Sequence, residues 1–335
     1  MQITIPEGYN TPLNIRETER AIKLTRQLFE SRLSDALNLE RVSAPIFVKA
    51  GEGINDDLNG VERAVEFDIL DIEGVNAQIV QSLAKWKRVS LKNYGYSVGE
   101  GLYTNMNAIR RDEITDNIHS IYVDQWDWEK VIRRDDRNFE YLQEVVNKIV
   151  NAIVDVKEEI KMLFPALKGK LKREVSFITS QQLEDMYPEL DAKGREYAYL
   201  KEHKTVFIMQ IGDNLASGKP HDGRAPDYDD WALNGDILFW NDVLGIAFEI
   251  SSMGIRVDEQ SLSEQLKKSG KEDRTKLKFH KMLLNGELPL SIGGGIGQSR
   301  LCMLILEKAH VGEVHSSIWP AEMESICSKN GIQLL

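Results

Sequence analysis

The residues best suited to chemistry lie in a glycine-rich stretch that ends in an arginine. Gly293, Gly295 and Gly297 alternate with other residues, and Arg300 follows three positions later. Glycines leave the backbone bare, so that N–H groups can approach a ligand closely, and the start of a helix favours negative charge. An arginine in the first helical turn opposes that preference unless it faces a phosphate or stacks on a flat ring. We therefore predict a nucleotide-binding turn between a strand over 288–292 and a helix; a packed turn with a solvated arginine is the alternative.

Two familiar phosphate-binding loops do not fit this spacing. A P-loop ends in Gly-Lys-Ser/Thr, whereas Gly297 is followed by Gln298 and Ser299. A dinucleotide fingerprint needs glycines at n, n+2 and n+5, and no three glycines of the stretch are so placed. The histidines of the chain are scattered and show no zinc-binding spacing. The pattern Gly-x-Gly-x-Gly-x-x-Arg therefore indicates another kind of nucleotide site.

A second set of polar residues lies on a predicted strand over 120–128. Gln125 and Asp127 share one face of this strand, and Asp124 and Trp126 share the other. Whichever face is inward carries an acid among large apolar groups, which costs free energy unless the acid is paired. The alternation favours a functional site, and a surface strand bearing two tryptophans is the alternative.

Composition limits the possible functions. The chain has 335 residues, 42% hydrophobic and 28% charged, as in soluble globular proteins, and we expect one catalytic domain over residues 1–335. The formal net charge of -11 argues against a nucleic-acid partner, which requires clustered lysine and arginine. Only Cys302 and Cys327 are present, so we expect no disulfide framework and a cytoplasmic location. We expect no membrane partner either, because there is no signal peptide and no apolar run of about 18 residues.

The first elements of the chain are a long helix and a strand. The helix is predicted to start from a cap at Asn10 and Thr11 and to end near Leu37. The strand over 39–48 contains Pro45, which removes a ladder hydrogen bond and places the strand at a sheet edge or kinks it. Such an edge strand either faces solvent in a monomer or pairs across a two-fold axis.

The later elements include two strands around a long loop. The segment over 212–235 shows no periodicity, and an unpatterned stretch of this length is typical of a functional loop. Strands are predicted over 237–240 and 246–255, and Glu249 and Ser251 are predicted to share a face of the second. A hairpin is predicted from strands over 103–110 and 120–128, with Arg110 at the end of its first strand.

Together these patterns resemble the three motifs of class II aminoacyl-tRNA synthetases, particularly the aspartyl and asparaginyl enzymes. They comprise the helix and strand ending near Pro45, the hairpin with Arg110, and the glycine-rich stretch leading into an apolar helix with Arg300. The sequence is also similar, essentially from end to end, to the ammonia-dependent asparagine synthetases, the aspartate–ammonia ligase family. This likeness is carried by the stretches Ser82–Arg88, Tyr122–Glu129, Arg224–Trp231 and Gly293–Leu301.

The resemblance implies an α+β fold, a class II synthetase-like catalytic core in which a mainly antiparallel sheet is flanked by helices. It also implies a two-step reaction. The β-carboxylate of L-aspartate attacks the α-phosphate of ATP, giving an aspartyl adenylate and pyrophosphate, and ammonia then displaces AMP to form L-asparagine. ATP brings Mg²⁺ with it, and the family likeness implies a homodimer formed through the first helix and the strand ending at Pro45.

Roles for individual residues follow from the same resemblance. Asp56 is expected to capture ammonium, Arg110 to stabilise charge on the α-phosphate, and Gln125 to orient the amide, so these three are the expected catalytic residues. The expected aspartate-binding residues are Ser82, Lys87, Asp127, Ser251, Ser252 and Arg256. The expected nucleotide-binding residues are Arg110, Val123, Asp229, Asp236, Gly295 and Arg300. Mg²⁺ is expected on Asp236 and Glu249, because it prefers carboxylate oxygens.

Two departures and two alternatives remain open at this point. Arg111 and Asp112 follow the hairpin arginine where synthetases have Arg-x-Glu, so the acid that reads the adenine amino group is not assigned. The step from Trp231 to Asp236 is short for the family, which leaves the contacts of the acidic loop open. One alternative is a synthetase-like paralogue that binds aspartate or adenylate without amination. The other is a minimal activating enzyme related to aspartyl- or asparaginyl-tRNA synthetase. A full tRNA synthetase would need an anticodon-binding domain, for which we expect no residues to remain.

Overall fold

The computed structural model describes residues 3–56, 58 and 62–335. Its strands are short in the N-terminal region and long around the predicted site. In chain order they are β1 (Leu39–Arg41), β2 (Phe47–Lys49), β3 (Glu66–Asp68), β4 (Asn76–Ile79), β5 (Gly101–Ile109), β6 (Tyr122–Val131), β7 (Ser176–Thr179), β8 (Thr205–Met209), β9 (Asp229–Asn241), β10 (Ile246–Arg256) and β11 (Ser291–Gly297).

The helices pack on both faces of these strands. In chain order they are α1 (Ile15–Leu37), α2 (Ala84–Tyr94), α3 (Phe139–Leu163), α4 (Ser180–Met186), α5 (Ala192–His203), α6 (Glu259–Lys268), α7 (Lys278–Leu284), α8 (Gln298–Ile305) and α9 (Ala321–Lys329), with 3₁₀ turns at Arg134–Asp136, Glu272–Lys276 and Val311–Glu313. Within the described part of the chain, no helix is both long and apolar enough to cross a membrane.

The large sheet of the described residues has eight strands in the order β1-β5-β6-β11-β10-β9-β8-β7. Its outermost pairs, β1 with β5 and β7 with β8, are parallel, and every pair between them is antiparallel. Strands β2, β4 and β3 form a separate small antiparallel sheet. The predicted α+β fold with a mainly antiparallel sheet is therefore confirmed.

One face of the large sheet carries the main hydrophobic core. Helices α1, α3 and α8 cover this face, where Trp126 and Trp128 of β6 are fully buried and Phe29 packs on the Trp126 ring at 4.7 Å between centroids. Because side chains alternate along a strand, Gln125 and Asp127 must then face the opposite side. Helix α2 packs on that opposite side, against β6 and β11, so the predicted polar face of β6 is confirmed.

The first helix starts later than predicted. The Asn14 side chain accepts a hydrogen bond from the Glu17 N–H, and the Glu17 carboxylate accepts one from the Asn14 N–H. This reciprocal capping box satisfies two helix-end donors, whereas Asn10 and Thr11 cap nothing in the structure. The strand predicted over 39–48 is also wrong in extent, because the chain leaves the large sheet after β1 and Pro45 separates β1 from β2. The prediction of an edge position is correct for β1.

The glycine-rich stretch is a strand, where we predicted a turn. Strand β11 pairs along its whole length with β6 on one side and over Ile292–Ile296 with β10 on the other, so it lies in the middle of the sheet. A central strand normally carries large apolar residues, and glycine weakens it. The glycines are therefore at these positions for a local reason, which lies in the side chains above them.

Strand β9 begins eight residues earlier than predicted. We placed 212–235 in a loop because it shows no periodicity, yet Asp229 and Asp230 lie in β9 and are buried, as is Asp236 just beyond this segment. Each is neutralised by an arginine from elsewhere in the chain: Asp229 by Arg256, Asp230 by Arg137 and Asp236 by Arg224. Paired acids can lie in a buried strand, and such long-range pairs leave no periodic signal in the sequence.

Candidate active site

A cleft of about 420 Å³ opens on the α2 side of the sheet, over β6, β10 and β11. Its walls come from the sheet, from the start of α2, from the segment around Asp56 and from the loop that precedes β9. All of the predicted site residues except Ser251 and Asp236 line this cleft. Those on its wall are Asp56, Ser82, Lys87, Arg110, Val123, Gln125, Asp127, Asp229, Glu249, Ser252, Gly295, Arg256 and Arg300.

Ser251 does not lie on the face of β10 where we expected it. We expected Glu249 and Ser251 to share a face, but the pairing of β10 with β9 shifts register between these two residues. An extra residue in one strand breaks the alternation of sides. As a result Ser252, and not Ser251, lines the cleft with Glu249. The Ser251 side chain is buried, and its hydroxyl has no hydrogen-bond partner among the described residues.

The glycines of β11 make room for the polar side chains of the cleft. A Cβ at Gly293 would overlap Glu129 Oε2 and would lie 2.6 Å from Arg256 Nη2. A Cβ at Gly295 would overlap Gln125 Oε1. The alternate glycines therefore let side chains of the neighbouring strands lie flat across the bare backbone of β11.

Two alanine substitutions in β11 are expected to separate stability from activity. At Gly293 the added methyl group meets a fully buried ion pair that has no room to move, so Gly293→Ala is expected to lower the free energy of unfolding by about 1–3 kcal/mol or more. At Gly295 it meets the half-buried Gln125 side chain, so Gly295→Ala is expected to cost less stability but to lower activity. Urea unfolding and a synthesis assay on both variants test this, and a Gly293→Ala protein as stable as the unmodified one would contradict it.

One end of the cleft is built around Arg256. Its guanidinium donates to Glu129 through Nε at 3.0 Å and through Nη2 at 2.8 Å, and its Nη1 pairs with Asp229. The Glu129 carboxylate also accepts from Ser291 Oγ at 2.7 Å. Burial favours the neutral form of Glu129, but Arg256 outweighs it and lowers the pKa of that carboxyl. Arg256 is thus a fixed cation, and its side chain packs near the Tyr228 ring at 5.8 Å from the centroid.

Helix α2 supplies a second fixed cation. Lys87 is fully buried, pairs with Asp127 and donates to the Gly294 carbonyl at 2.9 Å. Burial lowers the pKa of Lys87, against the opposing effect of Asp127. The second oxygen of Asp127, Oδ2, is buried without a hydrogen-bond partner in the part of the chain that the structure describes. An unpaired carboxylate oxygen beside Lys87 and Arg256 is suited to a ligand that carries an amino group and a carboxylate.

Three arginines gather at the other end of the cleft around Glu249. Arg300 donates from Nη1 to the Glu249 carbonyl at 3.2 Å and lies 3.8 Å from the Glu249 carboxylate. Burial raises the pKa of Glu249, but Arg300, Arg224 and Arg110 together lower it. Arg110 Nε is buried and has no acceptor among the described residues. Cationic side chains with unmatched donors are typical of a site for phosphate groups.

Asp236 lies behind this end, and its partner is Arg224. The Arg224 guanidinium pairs with Asp236 Oδ2 and donates to its neighbour's carbonyl, that of Gly223, at 2.9 Å. Burial and nearby Glu249 raise the pKa of Asp236 to about 6 despite Arg224. Asp236 Oδ1 has no hydrogen-bond partner among the residues described. Two adjacent carboxylates, one with an unmatched oxygen, fit a divalent cation, which prefers oxygen ligands and would relieve their repulsion.

The segment before Asp56 is held by side chains near the N-terminal end of α2. Asn55 Oδ1 accepts from the N–H groups of Asp56 and Gln81, at 3.0 and 2.9 Å, and Gln81 Nε2 donates to the Asp56 carbonyl at 2.9 Å. Lys85 donates to the Asn55 carbonyl at 3.2 Å and pairs with the fully buried Asp227 at 3.1 Å. The position of Asp56 on the cleft wall is therefore fixed by several long-range contacts.

Sequence reasoning missed Glu129, Arg224 and Lys85 as parts of the site. Glu129 continues the alternation of Gln125 and Asp127 along β6, so the period of two could have identified it. Lys85 was noted only as one of the basic residues of α2, and in the structure it is 3% exposed and pairs with Asp227. Arg224 lies in a segment without periodicity, and no local pattern marks it as the partner of Asp236.

A protein-family model, described as aspartate-ammonia ligase, matches residues 16–331. The chain belongs to the aspartate–ammonia ligase family. It is 58% identical over 334 residues to the aspartate–ammonia ligase of Clostridium tetani, covering 100% of this chain and 98% of that one. It is 59% identical over 336 residues to the aspartate–ammonia ligase of Ligilactobacillus salivarius, covering both chains completely. The family expected from the sequence motifs is thus confirmed.

Solved structures place the fold of this family member among the class II synthetases. Its structure is similar to asparaginyl-tRNA synthetase from Pyrococcus horikoshii complexed with asparaginyl-adenylate, with a TM-score of 0.65 and 14% sequence identity. The similarity covers 91% of this chain and 71% of that one. At this level of identity the comparison shows the fold alone, and it confirms the predicted class II synthetase-like core.

Proposed function

We propose that this aspartate–ammonia ligase family member makes L-asparagine from L-aspartate, ammonia and ATP through a β-aspartyl adenylate, releasing AMP and pyrophosphate. The observation that carries the proposal is the difference in side chains between the two ends of this cleft. The end at Lys87, Asp127 and Arg256 suits an amino acid, and the end at Arg110 and Arg300 suits a triphosphate. A carboxylate held at the first end would point toward phosphates held at the second, as adenylation requires.

In the first step the aspartate is bound by fixed charges. Lys87 has three N–H donors and uses two on the protein, so the third remains for the α-carboxylate, together with the free N–H groups of Arg256. Asp127 Oδ2 accepts from the amino group, and Ser82 and Ser252 lie on the same walls. These interactions leave the β-carboxylate as the nucleophile toward the α-phosphate.

Arg110 acts where negative charge grows during that attack. Its unmatched Nε lies at the end of β5, and a cation placed there in advance needs no reorganisation when the α-phosphate becomes pentacoordinate. Arg300 binds the nucleotide from the opposite side through the ring or the γ-phosphate. Val123 and Gly295 complete the nucleotide-binding set in this proposal. Asp229 was expected in that set too, but its carboxylate pairs with Arg256 at the proposed amino-acid end. Asp236 and Glu249 would hold Mg²⁺, which neutralises phosphate charge when bound.

In the second step ammonia attacks the acyl carbon and AMP leaves. Ammonia is mostly ammonium at neutral pH, so an anion must bind it and take a proton before attack. Asp56 is proposed as the carboxylate that binds ammonium and removes its proton, and Gln125 is proposed to orient the forming amide. The N–H of Leu58 donates to Asp56 Oδ1 at 3.1 Å, which fixes the carboxylate on the cleft wall.

The direct test is incubation of the protein with ATP, Mg²⁺, L-aspartate and ammonium, followed by measurement of AMP and asparagine. Equal amounts of both products are expected, with loss of both when Mg²⁺ is removed by a chelator. AMP or pyrophosphate exchange without asparagine would favour a paralogue that activates aspartate only. Transfer of the activated amino acid to tRNA would favour an activating enzyme related to the tRNA synthetases.

We also propose that residues 1–335 act as one catalytic unit in the cytoplasm. The eight-stranded sheet draws on described residues from Leu39 to Gly297, and Asn117 ties the N-terminal Thr4 to Ala309 through hydrogen bonds of 2.7–2.8 Å. Cys302 and Cys327 are both buried free thiols, which suits a reducing compartment.

A homodimer formed through α1 and the β1 region is expected in solution. Strand β1 pairs with a single neighbour, β5, in the described part of the chain, and Ile46 and Phe47 just beyond it are 56% and 44% exposed. Exposed apolar groups beside an open sheet edge favour association with a second copy. Sedimentation at micromolar concentration should show twice the 38.2 kDa chain mass, and a species of one chain mass alone would exclude this dimer.

A further inference from the structure

The first turn of α8 is held by a buried network of cleft-wall residues to which the proposed reaction assigns no role. Ser299 donates its backbone N–H to Asp124 Oδ1 at 3.0 Å, and its hydroxyl lies 2.8 Å from His315 Nδ1. Ser299, Asp124 and His315 are each 4–5% exposed. Asp124 is further held by Arg26 of α1 through a 2.7 Å ion pair. Four separate segments of the chain therefore meet at this single turn.

Both ring nitrogens of His315 have a serine hydroxyl within hydrogen-bond distance. Its Nε2 lies 3.2 Å from Ser120 Oγ, which also contacts Ser317 Oγ at 2.9 Å, and its Nδ1 lies 2.8 Å from Ser299 Oγ. Burial lowers the pKa of His315, consistent with a neutral ring, and the ring stacks on Tyr122 at 4.6 Å between centroids. The imidazole thus bridges two serines in one orientation.

Asp124 also compensates for the unfavourable position of Arg300 relative to the dipole of α8. An arginine in the first turn of a helix opposes the helix dipole, whereas a carboxylate that accepts a backbone N–H there is favourable. Asp124 supplies that carboxylate to the Ser299 N–H. Arg300 leaves the same turn toward Glu249, and both side chains lie on the cleft wall. Gln298, which precedes Ser299, also donates a 2.8 Å hydrogen bond from Nε2 to Asn105 Oδ1.

We propose that Asp124, Ser299 and His315 are positioning residues that hold the first turn of α8 so that Arg300 faces the nucleotide. The proposal rests on the nucleotide-binding role proposed above for Arg300. It predicts that damage to the network weakens nucleotide binding and leaves aspartate binding nearly unchanged, because the amino-acid end is built from β6, α2 and Arg256. A role in general stability would show no such selectivity.

The test compares two isosteric replacements of His315. Asparagine places its amide group near the Nδ1 position, so His315→Asn keeps a hydrogen-bond partner for the Ser299 hydroxyl. Glutamine reaches the Nε2 position, so His315→Gln loses that partner. His315→Gln and Ser299→Ala are expected to raise the dissociation constant of ATP, measured by calorimetry without aspartate, by about tenfold. Their KM for aspartate should change less than about twofold. His315→Asn should restore most of the ATP affinity.

Several results would overturn the proposal. An unchanged ATP dissociation constant in Ser299→Ala would do so, as would equal increases in both KM values, or a His315→Asn protein as impaired as His315→Gln. Ser299→Ala removes one hydroxyl and fills no space, so it keeps the test valid if a His315 variant fails to fold. ATP binding without asparagine synthesis by the unmodified chain would refute the proposed function while leaving these binding comparisons decisive. No ATP binding at all would overturn both.

Discussion

Arg110→Ala and Arg300→Ala are each expected to abolish aspartate-dependent AMP formation without unfolding the protein. In the proposed reaction Arg110 lies where charge develops on the α-phosphate, and removal of a preorganised cation from such a position commonly costs roughly 10³-fold or more in rate. Arg300 is the last residue of the Gly-x-Gly-x-Gly-x-x-Arg pattern and contacts the Glu249 backbone at the proposed nucleotide end. The measurement is AMP release under saturating ATP, aspartate and ammonium.

Arg111→Ala is the matched control for this experiment. Arg111 has the same charge, is adjacent in sequence and is exposed to solvent, so its loss should change the rate by less than about twofold. Thermal unfolding of all three variants should remain close to that of the unmodified protein, because neither Arg110 nor Arg300 is part of the buried core. Near-normal turnover in Arg110→Ala or Arg300→Ala would place the nucleotide elsewhere.

The sequence predicts those parts of the fold whose signal is local. Alternation along β6 correctly separates the Trp126 face from the Gln125 face, because one side packs on α1 and α3 and the other faces the cleft. Helix α3 is likewise evident from its apolar period. By contrast, the glycine-rich stretch reads locally as a turn, and only the side chains of Glu129 and Gln125 lying across it explain why it is a strand.

The sequence predicts most of the residues that line the cleft, but not the ion pairs between them. Lys87, Asp127 and Arg256 are identifiable from motifs, but the ion pairs that fix them join residues 27 to 127 positions apart. No periodicity records such a contact. Ser251 fails for a related reason, because a register shift in β10 depends on the pairing with β9 and not on the order of residues.

The buried charges of the cleft explain how an enzyme can keep a polar site rigid before substrate arrives. Arg256 is matched by Glu129 and Asp229, Lys87 by Asp127, and each carboxylate has lost most of its contact with water. Breaking one member of a buried pair leaves an uncompensated charge, which costs several kcal/mol, so these side chains have one stable arrangement. Asp127 Oδ2 and Arg110 Nε, on two residues of the cleft wall, have no hydrogen-bond partner among the described residues.

Asp56→Asn is expected to separate amination from adenylation. If the Asp56 carboxylate captures ammonium and removes a proton, it acts only after the adenylate exists, and general-base help is commonly worth roughly 10²–10⁴-fold in rate. Asparagine keeps the size and can keep the 3.1 Å bond from the Leu58 N–H, so the segment should hold its shape while losing the charge. Asparagine synthesis should therefore fall sharply, whereas aspartate-dependent exchange of labelled pyrophosphate into ATP should persist.

The comparison with Asp68→Asn makes this result specific. Asp68 is an exposed acid of β3, outside the cleft, so the same change there should leave both synthesis and exchange near normal. Raising the ammonium concentration should not restore the Asp56→Asn rate fully, because the missing step is proton removal as well as capture. Loss of exchange in parallel with synthesis would instead place Asp56 in aspartate binding. Unchanged synthesis would show that Asp56 is only a loop acid and that another group deprotonates ammonium.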